Sequence, residues 1–83
     1  MKRYWFSFNA ECLPIGVQHG CGLSANSYED ALNILREKVF ESSDIPEIGD
    51  VVENVDISTL DKAHVLSNMG NISVRGVWYP LGY

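Results

Sequence analysis

The sequence predicts an α+β fold, in which one amphipathic helix packs on a mixed or antiparallel sheet of four to five strands. Three features carry this expectation. Residues 3–9 alternate, with Tyr4, Phe6 and Phe8 on one side and Arg3, Trp5 and Ser7 on the other, the two-residue period of a half-buried strand. Residues 28–40 instead place Tyr28, Ala31, Leu32, Leu35 and Val39 on one stripe of a helix. Finally, residues 72–79 have the β-branched and aromatic content of a closing strand. A chain of 83 residues has room for one domain, spanning 1–83. At this size about 60–65% of the unfolded surface is buried, so stability should be modest.

In chain order, strand one is followed by Leu13-Pro14-Ile15-Gly16, which suits a type I turn with Pro at its second position. Strand two then covers 17–25. If the turn pairs Leu13 with Val17, Cys21 falls opposite Asn9 and out of register with Cys12, so both cysteines are expected as free thiols. Ser27, three residues before Asp30, forms a variant of the capping box and starts the helix. Ser42-Ser43-Asp44-Ile45-Pro46 ends it, because short polar side chains compete for backbone bonds and Pro restricts the residue before it. Strand three is expected over 50–58, with Val51, Val55 and Ile57 spaced for one face. Residues 60–69 suit either a strand through 63–66 or a helical turn. Gly70-Asn71 is a turn, and Gly76 marks a bulge in the last strand.

This order of elements, β-β-α-β-(β)-β, resembles the β-grasp architecture of ubiquitin-like domains. The resemblance lies in element order and in no motif, so it implies a fold and little about function. A ferredoxin-like sandwich is the alternative and would need a second full helix, for which 60–69 is the only candidate. The tail Leu81-Gly82-Tyr83 lacks the exposed terminal glycine of a conjugated modifier.

A composition 46% apolar and 11% aromatic is that of a folded domain rather than a disordered chain. The basic start Met1-Lys2-Arg3 precedes an apolar run that stops at Phe8, too short for a secretion signal or a membrane span. Two cysteines without a signal point to a reducing, cytoplasmic setting. The formal net charge is −5, and Glu41, Asp44, Glu47, Asp50, Glu53, Asp56 and Asp61 follow one another with no Lys or Arg between them. Phosphate binding needs clustered cations, so direct nucleic-acid binding is not expected, whereas a basic protein partner is.

Cys12, His19, Cys21 and His64 are the soft metal ligands, but no Cys-x-x-Cys or knuckle spacing joins them. His19 and Cys21, two apart on a strand, lie ~7 Å from each other along it, too far for a direct nucleophile–base bond. Carboxylate pairs such as Asp56 with Asp61, or Glu47 with Asp50, match no calcium loop. Neither a catalytic residue, a metal nor a cofactor is therefore expected. Trp5 faces away from the helix side of the sheet, where one of Trp78 and Tyr79 should join it. Either this is an exposed aromatic docking face or residues 59–71 fold over it as a second small core.

The resulting expectation is a cytoplasmic protein-binding module of the inhibitor type, like an antitoxin, an immunity protein or a phage inhibitor. Its docking residues would be Trp5, Trp78 and Tyr79 on the sheet face and Glu47, Asp50, Glu53 and Asp56 in the acidic run. A homo-oligomeric building block, such as a homodimer, is the structural alternative, and an enzyme using Cys21 with His64 is the catalytic one.

Overall fold

The structure, a computed structural model, describes residues 1–9, 13, 17, 20–41, 44–60, 65 and 68–81. β1 (Lys2–Phe8) pairs antiparallel with both β2 (Cys21–Ala25) and β3 (Ile48–Glu53), and β4 (Gly76–Tyr79) pairs antiparallel with β2. The sheet order is β3-β1-β2-β4. It is wholly antiparallel, with one helix across one face, as the α+β expectation requires. Because β2 and β3 both oppose β1, they run parallel to each other, and a helix makes the crossover between them. No second full helix of a ferredoxin-like sandwich occurs among the described residues.

That helix begins at Ser27, whose Oγ accepts a hydrogen bond from the Asp30 amide at 3.1 Å. The Asp30 carboxylate in turn accepts the amide of Asn26, one residue before the cap, at 3.0 Å, so the expected cap forms as a variant of the reciprocal box. α1 (Tyr28–Ile34) continues into a π turn, Leu35–Val39, where the Phe40 amide donates to the Leu35 carbonyl five residues back. Phe40 is thereby wound onto the buried side beside Leu35. The inward stripe becomes Ala31, Ile34, Leu35, Val39 and Phe40, while Tyr28, expected inside, is exposed at the rim and packs its ring near Tyr4 and Phe6. This stripe meets Tyr4, Phe6, Cys21, Leu23 and Ala25 to form the main core.

Asp30 also receives a two-point hydrogen bond from Arg75, Nε to Oδ2 at 2.9 Å and a second guanidinium nitrogen to Oδ1 at 2.5 Å. The pair fastens the start of the helix to the approach to β4. Arg75 first, then the Asn26 amide, hold the carboxyl at about 2, below its ordinary 3.8. A depressed carboxyl adds stability that is full above its unfolded value and lost as pH falls toward its folded one. Wild type is therefore expected to lose more of its urea stability between about pH 4 and pH 2 than Asp30→Asn, with the two curves converging at the acid end. Parallel curves across that window would show that the pair contributes nothing, and added salt should narrow the gap because the pair is exposed.

Three expectations need correction. β2 starts at Cys21 rather than Val17, and Cys21 pairs with Phe6 rather than Asn9. The connection from β1 is thus longer than a tight hairpin, and the proposed turn at Pro14–Gly16 lies outside the described residues. Strand three spans Ile48–Glu53 instead of 50–58. It stops where Asn54 takes a left-handed conformation (φ 53°) and Asp56 accepts the Ser58 amide and hydroxyl to cap a 3-10 turn, Ile57–Thr59. Val51 consequently packs with the helix-side core while Val55 and Ile57 go to the opposite side. The 63–66 strand lies outside the described residues, apart from Val65.

Candidate docking surfaces

β3 and β4 occupy opposite edges of the sheet, so the chain between them must travel about 14 Å across it, three strand spacings. The helix fills one face, which leaves the other for this crossing. There Val55, Val65, Trp78 and Tyr79 form a second buried cluster, joined by the half-buried Trp5, Ile57, Leu60, Met69 and Ile72. Ser24 is the polar tie: buried beneath the crossing segment, its Oγ donates to the Ile72 carbonyl at 2.6 Å. The Gly70 amide donates to the Trp78 carbonyl at 2.7 Å.

This overturns the exposed aromatic face. Trp78 is 1% exposed and Tyr79 3%, so both are core residues, and Trp5 is half-buried against them with ring centroids 6.1 Å and 5.5 Å away. Both residues of the pair reach that side because the ladder slips between Gly22 and Leu23. Gly22 pairs with Tyr79 and Leu23 with Val77, leaving Trp78 as the extra residue of a bulge. The bulge thus falls at Trp78, whereas Gly76, its expected place, pairs with Ser24.

Glycines make the room. A Cβ on Gly22 would lie 2.3 Å from the Trp78 ring, and one on Gly20, whose φ of 117° already favours glycine, would lie 2.5 Å from the Trp5 ring. Gly20 and Gly22 stand two apart, so their period of two was a readable sign that bulky rings cross this strand. The Trp78 Nε1 donor is buried and has no hydrogen-bond partner among the described residues.

The acids behave differently. Glu41, Asp44, Glu47, Asp50, Glu53 and Asp56 are all exposed. They run from the end of the helix along β3 to the 3-10 turn. Asp50 turns its carboxylate onto the Val51 amide at 3.0 Å, and Glu53 lies 3.9 Å from Lys2. Asp56 serves as a cap, and the Ser58 hydroxyl and amide, with Arg3 beyond them, lower its pKa. Among the described acids of this run, Asp50 and Asp56 thus bond the local backbone. Asp61, the last of the sequence's acidic run, lies outside the described residues.

Cys21 is a free thiol buried in the main core, and desolvation pushes its pKa up to about 12. A thiol held neutral in this way packs as a small hydrophobe and is a poor nucleophile. Cys12, His19 and His64 lie outside the described residues, among which no group of three His, Cys, Asp or Glu could hold a metal ion. Nor, among them, is any helix long and apolar enough to cross a membrane. No protein-family model matches the chain, and comparisons with curated proteins and with solved structures find no significant match.

Proposed function

We propose that this chain is a protein-binding module of the inhibitor type, comparable in role to an antitoxin, an immunity protein or a phage inhibitor, that docks a basic macromolecular partner. The observation that carries the reading is the exposure of six acids, Glu41, Asp44, Glu47, Asp50, Glu53 and Asp56, of which Asp50 and Glu53 lie on the edge strand β3. Among the described residues, Lys2 is the one cation within ion-pair range of them. One-signed charge on an exposed edge accelerates encounter with an oppositely charged protein and selects against like-charged ones. The free Cys21 thiol supports placing this role in the cytoplasm. With the aromatic face covered, Trp78 and Tyr79 leave the docking set for the second core, and of the three aromatic residues Trp5 is the one that stands beside β3.

The test compares wild type with the triple variant Glu47→Lys, Asp50→Lys, Glu53→Lys as baits in the native host, then measures association of the recovered protein. A basic protein held by wild type should associate at least tenfold more slowly with the variant at low ionic strength, within the roughly 10- to 1000-fold range of steering. The difference should shrink at high salt. Equal retention and an unchanged salt dependence would remove the acidic edge from the mechanism.

A further inference from the structure

We infer that the outer edge of β3 is a strand-addition site for an extended segment with the side-chain pattern basic–apolar–apolar–basic. This rests on the docking role proposed above and specifies its chemistry. A four-stranded sheet has two edges, and here they differ. That of β4 is closed: Trp78, Tyr79 and Pro80 are buried, and the Trp78 carbonyl is taken by the Gly70 amide. Along β3, Gly49, Asp50, Val52 and Glu53 are exposed, and Ile48 and Val51 half-buried.

The Val51 amide shows which backbone groups are open. It is held by the side chain of its own neighbour Asp50, and it points outward, as by the two-residue period does the amide of Glu53; at Gly49 the ladder slips and the alternation ends. An incoming strand would take the Val51 donor and release the Asp50 carboxylate to meet its own cation.

Side chains define the occupant. Trp5 pairs with Val52 and Ser7 with Asp50, placing Val52 and Asp50 on the far face; Phe6 pairs with Val51 and Tyr4 with Glu53, placing those on the helix face. Val52 is 42% exposed beside the half-buried Trp5, an apolar seat at the rim. Residues 50–53 thus read acid, apolar, apolar, acid, and because opposite charges attract across strands their complement carries a cation at each end. A second copy of β3 fits badly. Cross-strand partners share a face, so a register centred on Val51 sets Asp50 against Val52 and Glu53 against Gly49, which gives neither acid a cation and brings two negative edges together.

The probe is the capped peptide Thr-Lys-Val-Val-Lys-Thr, titrated into the full chain at low ionic strength and followed by amide NMR. Two controls have the same length: one N-methylated at both valines, which keeps charge but loses a backbone donor on either edge, and one with Glu in place of Lys. The expected result is binding at least tenfold tighter than either control, with exchange of the Val51 amide slowed at least tenfold. Equal binding of the N-methylated peptide would overturn strand addition while leaving acidic docking intact. Equal binding of the Glu peptide would overturn the charge pattern. If no peptide binds, the inference and the docking role fall together, and a dimer of the chain alone that protects the same amides would make a second copy the occupant instead.

Discussion

Truncating Trp78 to alanine is expected to remove about 3–5 kcal/mol of folding stability, the range for large buried aromatics. A chain of 83 residues commands only about 4–12 kcal/mol in total, so this variant should lose from about a quarter to all of its stability. The reason lies in topology more than in area alone. Trp78 is the ring on which the second core is built: it lies over Gly22, stands 6.1 Å from Trp5, and shares its cluster with Val55, Val65 and Tyr79. Deleting it takes away the surface on which the crossing segment rests. Urea denaturation followed by the fluorescence of Trp5 reads both events, since Trp5 loses a ring neighbour as well as stability. Trp78→Phe should cost far less, because it gives up some area but also removes the buried Nε1 donor that has no partner among the described residues. If the alanine variant keeps its denaturation midpoint within the error of wild type, the second core contributes little and the aromatic cluster is incidental.

The helix and the first strand were legible in the sequence because their signals are local. Ser27 with Asp30 marks a cap, and the 3–9 alternation needs no knowledge of what lies opposite. Two buried clusters, one under the helix and one around Trp78, cover both sides of the sheet. The covering of the Trp5 face by residues 59–71 stood as one of two alternatives, and what decides it is non-local: pairing of β1 with both β2 and β3 sends β4 to the far edge, so the chain between β3 and β4 crosses that face, where Leu60, Val65 and Met69 pack. Strand three was overextended because Val51, Val55 and Ile57 keep an even spacing, while Asn54, able to turn left-handed, ends the strand between them. The acids were visible as composition, but their position on an open edge, and the Asp50 carboxylate covering the Val51 amide, belong to the register.

Gly22→Ala is the second change expected to be severe, and its sign separates two accounts of the same glycine. Gly22 needs no left-handed backbone, so if it were an ordinary strand glycine, alanine would stabilise the fold by about 0.4–1 kcal/mol through the unfolded state. Here the new Cβ would lie 2.3 Å from two atoms of the Trp78 ring. A ring at the surface could swing aside; this one is 1% exposed and walled by Trp5 and Tyr79. The strain must then be taken up by the bulge or by the crossing segment, for an expected loss of about 1–3 kcal/mol, the usual cost of overpacking. A double-mutant cycle isolates the contact. In a Trp78→Leu background, where the far end of the ring is gone, the same Gly22→Ala change should be close to neutral, giving a coupling of at least about 1 kcal/mol between residues on neighbouring strands. Additive losses would mean that Gly22 is required for the backbone of β2 itself, and that the tryptophan lies over it without depending on it.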